Sequence, residues 1–272
     1  FILVIFVFFF PDEITYNERK FYSYNIEPKK SKVFLLGASG VGSLNSTLIN
    51  EEVSNSFNNV IVYNLAKGGD LPEKRIQTLN EIINQKPKLI VYGLDFRDFQ
   101  IDQKRNNLLP DPQKFFSQLL GTQDLNMDLF SFNPRLVTQQ FIRDIPNRFG
   151  SIDKQPTFPP YSPFIRLDNQ YDIISEEELE RQYTTSSAIG LKIDNSSSNR
   201  NFQSLEKIIE KLQENNIKVV LYSVPHHRVY YNGLDHAEEE KFTKIMETLH
   251  IKYNVDVFMI NHNYERLHIW AN

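Results

Sequence analysis

The chain has 272 residues, enough for one large domain or two small ones with a sizeable core. With 40% hydrophobic and 24% charged residues it is mainly globular, and a net charge of -4 argues against nucleic-acid binding through a basic field. The absence of cysteine excludes a disulfide scaffold, a thiolate zinc site and a Cys nucleophile, and places the protein in no particular redox compartment.

The chain opens on FILVIFVFFF, residues 1–10, followed by Pro11. Ten apolar residues are too few to cross a bilayer, which takes about 20. The run is expected to be the end of a longer apolar segment, the outer part of a membrane anchor or uncleaved signal helix; a buried N-terminal strand is the alternative. Residues 11–31 are polar and charged and read as a tether.

From Lys32 the pattern becomes that of an α/β domain, residues 32–272. VFLLG (33–37) is a short apolar run ending in Gly, as a buried parallel strand does. A helix is expected next, with Leu44, Leu48 and Ile49 on one face. VIVYNL (60–65) is a second strand, and Pro72 opens a helix carrying Ile76, Leu79, Ile82 and Ile83. KLIVYGLD (88–95) is a third strand. Residues 100–200 break the rhythm: they are proline-rich, with short helices expected near 112–120 and 134–145, an acidic run at Glu176–Glu178 and the polar stretch DNSSSN. They read as a long irregular insertion, either a lid over the sheet's carboxyl edge or irregular packing. A helix through Leu205, Ile208, Ile209 and Leu212, a strand IKVVLYSV (217–224), a helix through Phe242, Ile245, Met246 and Leu249, and a strand VDVFMI (255–260) restore the alternation. Strand–helix alternation predicts a doubly wound, mainly parallel sheet between helical layers.

Ligands of such sheets bind beyond the carboxyl ends of the strands. There the sequence carries GASGVGSLNST (37–47). A P-loop needs Lys where Ser43 stands, because that Lys reaches the phosphates. A dinucleotide turn needs an acidic residue at the end of the second strand, which ends Tyr63-Asn64-Leu65 instead. A nucleophile turn fits better, with Ser39 at a helix N-terminus where the dipole and free amides stabilise an oxyanion. A Ser in this position is also a common N-cap.

Three blocks in order carry a resemblance: Gly37-Ala38-Ser39 after the first strand, Asn64-Leu65-Ala66-Lys67-Gly68-Gly69-Asp70 after the second, and Gly93-Leu94-Asp95-Phe96 after the third. They resemble the SGNH (GDSL-like) hydrolase and acyltransferase superfamily, with its G-[DA/S]-S, N-x-G-x-x-G-D and G-x-N-D blocks. The helix, strand and Pro225-His226-His227 that follow residue 200 look like the membrane-associated branch of that superfamily. The resemblance implies a three-layer α/β/α sandwich with a flavodoxin-like sheet. It assigns Ser39 as nucleophile and, through its amide, oxyanion donor, with Gly69 as a second donor. Asp95 stands where the family has Asn, and an ionised carboxylate cannot donate a hydrogen bond. Arg97 and Asp98 are expected to pair with Asp95 or with each other.

The family's base comes from a D-x-x-H block after the last strand. Glu265-Arg266-Leu267-His268 has that spacing with Glu for Asp, making Glu265 and His268 candidates; alternatively IWAN (269–272) leads into the block and the His lies beyond residue 272. His226 and His227 are expected to bind substrate or a lone structural partner each. His236, His250 and His262 read as surface residues, and no cluster has metal-ligand spacing. Asn45-Ser46-Thr47 and Asn195-Ser196-Ser197 are sequons, usable as glycan acceptors if the domain is extracellular.

The resemblance therefore implies a membrane-anchored, extracytoplasmic serine esterase or O-acyltransferase acting on acyl esters of an envelope glycan, lipid or polymer. No metal or organic cofactor and no nucleic-acid partner is expected. The competing reading, resting on Asp95 and the unplaced base, is a catalytically inactive SGNH-like subunit held by integral-membrane protein partners.

Overall fold

The computed structural model describes residues 21–22, 29–101, 161–164, 175, 177, 178, 180, 181 and 190–265. The expected anchor at 1–10 and the helices near 112–120 and 134–145 lie outside the described residues. In chain order the elements are β1 (Ser31–Leu36), α1 (Ser39–Gly42), α2 (Ser46–Ser56), β2 (Val60–Asn64), α3 (Pro72–Arg75), α4 (Leu79–Asn84) and β3 (Leu89–Leu94). Then come α5 (Arg200–Glu214), β4 (Lys218–Ser223), α6 (Arg228–Asn232), α7 (His236–Tyr253) and β5 (Asp256–Phe258). Short 3-10 turns fill Ile76–Thr78 and Phe96–Phe99.

The strands form one sheet in the order β2-β1-β3-β4-β5, every pairing parallel. This is the flavodoxin-like order, and it reverses direction between β1 and β3, the place where such sheets open a crevice. Strand period 2 separates the side chains into two faces. Phe34, Leu36, Ile61, Tyr63, Ile90, Tyr92, Val219 and Leu221 enter the larger core, with Leu205, Ile208 and Leu212 of α5 and Phe242, Ile245 and Leu249 of α7. Leu35, Val62 and Val91 face the other way, where Ile49 and Val53 of α2 pack. Burial on both faces is why these strands read as continuous apolar runs.

Several helix ends follow directly from the sequence. Asn45 accepts from Thr47 and Leu48 N–H to cap α2, Asn199 caps α5 in the same way, and Asp235 caps α7. Helix α7 ends on Asn254 in the left-handed region, at φ 50°.

Three expectations need correction. Leu44 and Leu48 are exposed; α2 starts only at Ser46, and Ile49 and Val53, one turn apart, form its half-buried stripe. The 11–31 segment is not wholly a tether. Phe21 and Tyr22 are helical, Tyr22 is buried, Phe21 meets Phe164 edge-on at 5.3 Å, and Gln85 Nε2 donates to the Tyr22 carbonyl at 2.9 Å. The aromatic pair outweighs its charged surroundings. The 100–200 stretch is not an insertion throughout either. Leu191 and Ile193 are core residues, and Gln100 and Ile193 form an antiparallel bridge. Among the described residues no helix is long and apolar enough to cross a membrane.

Gly93 allows the turn after β1 to close on the sheet. A Cβ there would stand 2.4 Å from Val41 Cγ2 and 2.7 Å from the Tyr222 ring. Gly93→Ala is expected to destabilise the domain by about 1–3 kcal/mol through overpacking, read as a lower urea midpoint at unchanged slope.

Candidate active site

Gly37 follows β1 at φ +140°, and a Cβ on it would lie 2.6 Å from the Gly93 carbonyl oxygen, so only glycine fits this corner. Ala38 is extended and Ser39 begins α1. The α1 turn is held by Val41 and Gly42 N–H donating to the Ala38 carbonyl, each at 3.1 Å. Asn64, buried at the end of β2, donates from Nδ2 to the carbonyls of Val41 at 2.8 Å and Leu44 at 3.2 Å. The asparagine of the second block thus clamps the first block in place. Lys67 N–H donates to the Gly37 carbonyl at 3.1 Å and ties the two loops together.

Ser39 is exposed on the carboxyl edge of the sheet. Among the described residues its hydroxyl and its amide N–H have no hydrogen-bond partner. The helix it begins has only four residues, so the expected dipole contribution is corrected: any oxyanion stabilisation here comes from local amides.

Gly69 is exposed at φ +64°, and its amide is likewise unpartnered among the described residues. A Cβ there would meet nothing within 4 Å. The glycine therefore serves the left-handed turn rather than clearing space within the protein. Behind it Asp70 forms a fully buried ion pair with Arg75, and Arg75 Nη2 also donates to the Leu65 carbonyl at 2.9 Å. Arg75 is a functional-loop residue that the sequence does not single out. Its signal was an Asp and an Arg bracketing the turn into a helix, a pattern too common to single out.

Asp95 follows β3, with its side chain 19% exposed. Its Oδ1 lies 3.2 Å from Nε2 of His226, whose side chain is 14% exposed. The His226 ring stacks on Tyr230 at 4.1 Å and 11°. Burial acts to raise the Asp95 pKa, but the His226 charge, their hydrogen bond and Arg97 outweigh it and hold the carboxyl below its ordinary value. In the structure Asp95 acts as an acceptor, toward His226 and the Arg97 N–H, as a carboxylate in the place of the family's Asn is expected to.

The expected salt bridge among Asp95, Arg97 and Asp98 is replaced by a capping box. Asp98 Oδ2 accepts from Asp95 N–H at 2.7 Å, Asp95 accepts from Arg97 N–H, and the Arg97 guanidinium lies 5.9 Å above the Tyr230 ring. Burial, and next the neighbouring charge of Asp95, push the Asp98 carboxyl well above its ordinary range.

His227 is buried and accepts from Val229 N–H through Nδ1, capping α6. His268 and residues 266–272 lie outside the described residues. Glu265 bonds His262 Nδ1, while His262 Nε2 bonds Glu239. Burial opposes the charge on His262, but the two carboxylates outweigh it and raise its pKa. The same corner is joined to the β4 loop by His226 N–H donating to the Asn261 carbonyl at 3.2 Å and Arg228 N–H to that of Glu265 at 3.1 Å. Among the described residues no group of His, Asp and Glu is arranged to hold a metal ion.

No family model and no curated protein matches the chain. Solved structures similar to it include TesA, at 11% identity over 86% of this chain and 80% of that one, with a TM-score of 0.41. A mutant of the esterase AlinE4 is similar at 11% identity over 87% and 78%, with a TM-score of 0.40. The esterase EstA from Pseudoalteromonas sp. is similar at 10% over 85% and 77%, with a TM-score of 0.38.

Asp98 generates a pH prediction. Its native pKa is raised, so the folded state keeps a proton that the unfolded chain releases at about pH 4. Its contribution to stability therefore falls as pH rises from there through the raised native pKa. Asp98→Asn keeps an oxygen to accept Asp95 N–H and removes this slope. Urea midpoints of both proteins across pH 4–8 are expected to diverge in favour of the variant as pH increases.

Proposed function

We propose that the chain is a serine acyl-transfer enzyme of SGNH type, an esterase or O-acyltransferase. The observation that carries the reading is Ser39: exposed beyond the β1 end, beside the β1/β3 reversal, with hydroxyl and amide unengaged among the described residues. The Ser39 oxygen attacks an ester carbonyl while a base takes its proton. The oxyanion that forms is met by the amides of Ser39 and Gly69. Collapse expels the alcohol, which takes up the proton, and leaves the acyl group on Ser39. Water or a second hydroxyl then attacks the acyl-enzyme and restores the serine.

The reading extends to an extracytoplasmic domain held at a membrane and acting on acyl esters of an envelope glycan, lipid or polymer. Its support is the apolar run at 1–10 and the two sequons, whose asparagines are both exposed. Protease protection of the full-length protein in sealed membrane vesicles tests the placement. Pelleting with the vesicles and digestion only from the extracytoplasmic side is the expected result.

One observation favours a second reading, an inactive subunit of a membrane complex. Asp95 is an ionised acceptor in the place where the resemblance calls for a donor. Loss of one oxyanion donor typically costs about 10²–10³ in rate. Labelling of the full-length protein with a fluorophosphonate probe, located by peptide mass spectrometry, separates the two. Modification at Ser39 that disappears in Ser39→Ala is expected. A folded, unlabelled wild type would favour the inactive subunit.

A further inference from the structure

We propose that Asp95 and His226 are the acid–base pair of the Ser39 site, so that the base is supplied by the ends of β3 and β4 rather than by the chain's last segment. The inference rests on the acyl-transfer reading of Ser39.

The sheet brings the three residues to one edge. Ser39 follows β1, Asp95 follows β3 and His226 stands three residues past β4, and these strands are consecutive in the order β1-β3-β4. All are parallel, so their carboxyl ends share one rim. The rim is closely packed. A Cβ on Gly40, the neighbour of Ser39, would lie 2.7 Å from Val224 Cγ1, two residues before His226. Val224 N–H in turn donates to the Leu94 carbonyl at 2.9 Å, next to Asp95.

The chemistry of the pair suits a base. The Asp95 carboxylate accepts from Nε2, which places that ring proton and leaves the lone pair on Nδ1. Among the described residues Nδ1 of His226 has no partner. The stack on Tyr230 fixes the ring plane, with Phe96 beside it at 6.0 Å. In the reaction Nδ1 takes the Ser39 proton as the oxygen–carbon bond forms, the carboxylate steadies the imidazolium, and the proton passes to the leaving oxygen as the ester bond breaks.

The other described histidines are committed elsewhere. His227 caps α6, His250 Nδ1 bonds the Val255 carbonyl, and His262 is held between Glu239 and Glu265. His236 is on the exposed start of α7. The pair also accounts for the departure at the third block. A carboxylate orients and stabilises a histidine, which the amide of the family's Asn does not do in the same charged form.

The test measures fluorophosphonate labelling rates at Ser39 in the full chain. His226→Ala is expected to slow labelling by on the order of 10²–10⁴-fold, with partial recovery on adding free imidazole, which a purely structural role would not give. Asp95→Asn is expected to slow it by about tenfold or more. Wild-type labelling with an unchanged rate in folded His226→Ala overturns the pair and leaves Ser39 standing. So does loss of labelling in His268→Ala with none in His226→Ala. If His226→Ala does not fold by circular dichroism, Asp95→Asn decides, and an unchanged rate there overturns the pair. A folded wild type that does not label overturns both the pair and the acyl-transfer reading.

Discussion

The site depends on how Val41 is seated. Its side chain is fully buried where β1 and β3 end, in the space that Gly93 leaves open and against the corner that Gly37 turns. That contact folds the α1 turn back onto the sheet. Asn64 then completes the hold by bonding the carbonyls of Val41 and Leu44. These two constraints come from β1, β2 and β3 together, and they leave Ser39 on the rim with its hydroxyl and amide N–H unpartnered among the described residues. Pre-positioning of this kind is how a scaffold reduces the entropic cost of bringing reacting groups together.

Charge on the same rim is arranged by depth. Asp70 is neutralised by Arg75 beneath the Gly69 loop, with no side-chain exposure on either partner. A buried pair like this is costly to break from one side, so it fixes the loop more than it adds net stability. Asp98, also buried, has a favoured proton and accepts the Asp95 N–H. Asp95, only partly buried, directs its carboxylate at His226, which helps hold its pKa below the ordinary value. Three carboxylates within one loop cluster thus occupy three different states, set by partner and burial rather than by residue type.

The corner formed by Tyr231, Asn261, His262 and Glu265 supports the β4 loop from outside. Tyr231 donates to the Asn261 carbonyl at 2.5 Å, and Ser223 Oγ accepts the N–H groups of Ile260 and Asn261 at 2.7 and 2.9 Å. These bonds tie the turn after β5 to the end of β4 and fix the backbone that carries His226. Glu265 takes part through His262 and through its own carbonyl, so in the described residues it has a structural partner.

Much of the fold was legible because it is local or periodic. Mainly apolar runs of five to eight residues marked all five strands, and helical spacing in α5 and α7 marked the residues that cover one face. The Gly-x-Ser turn and the Asn64 to Asp70 block were legible as well, since a positive φ and a tight corner restrict residue choice. Tertiary structure decided what spacing cannot encode. Ile49 rather than Leu48 faces the sheet because the start of α2 sets its rotation. Tyr22, Leu191 and Ile193 join the core from segments whose local composition is polar. Asp95 and His226, 131 positions apart, meet only because β3 and β4 are paired in parallel register. A contact at that separation is set by sheet order, which no short stretch of sequence contains.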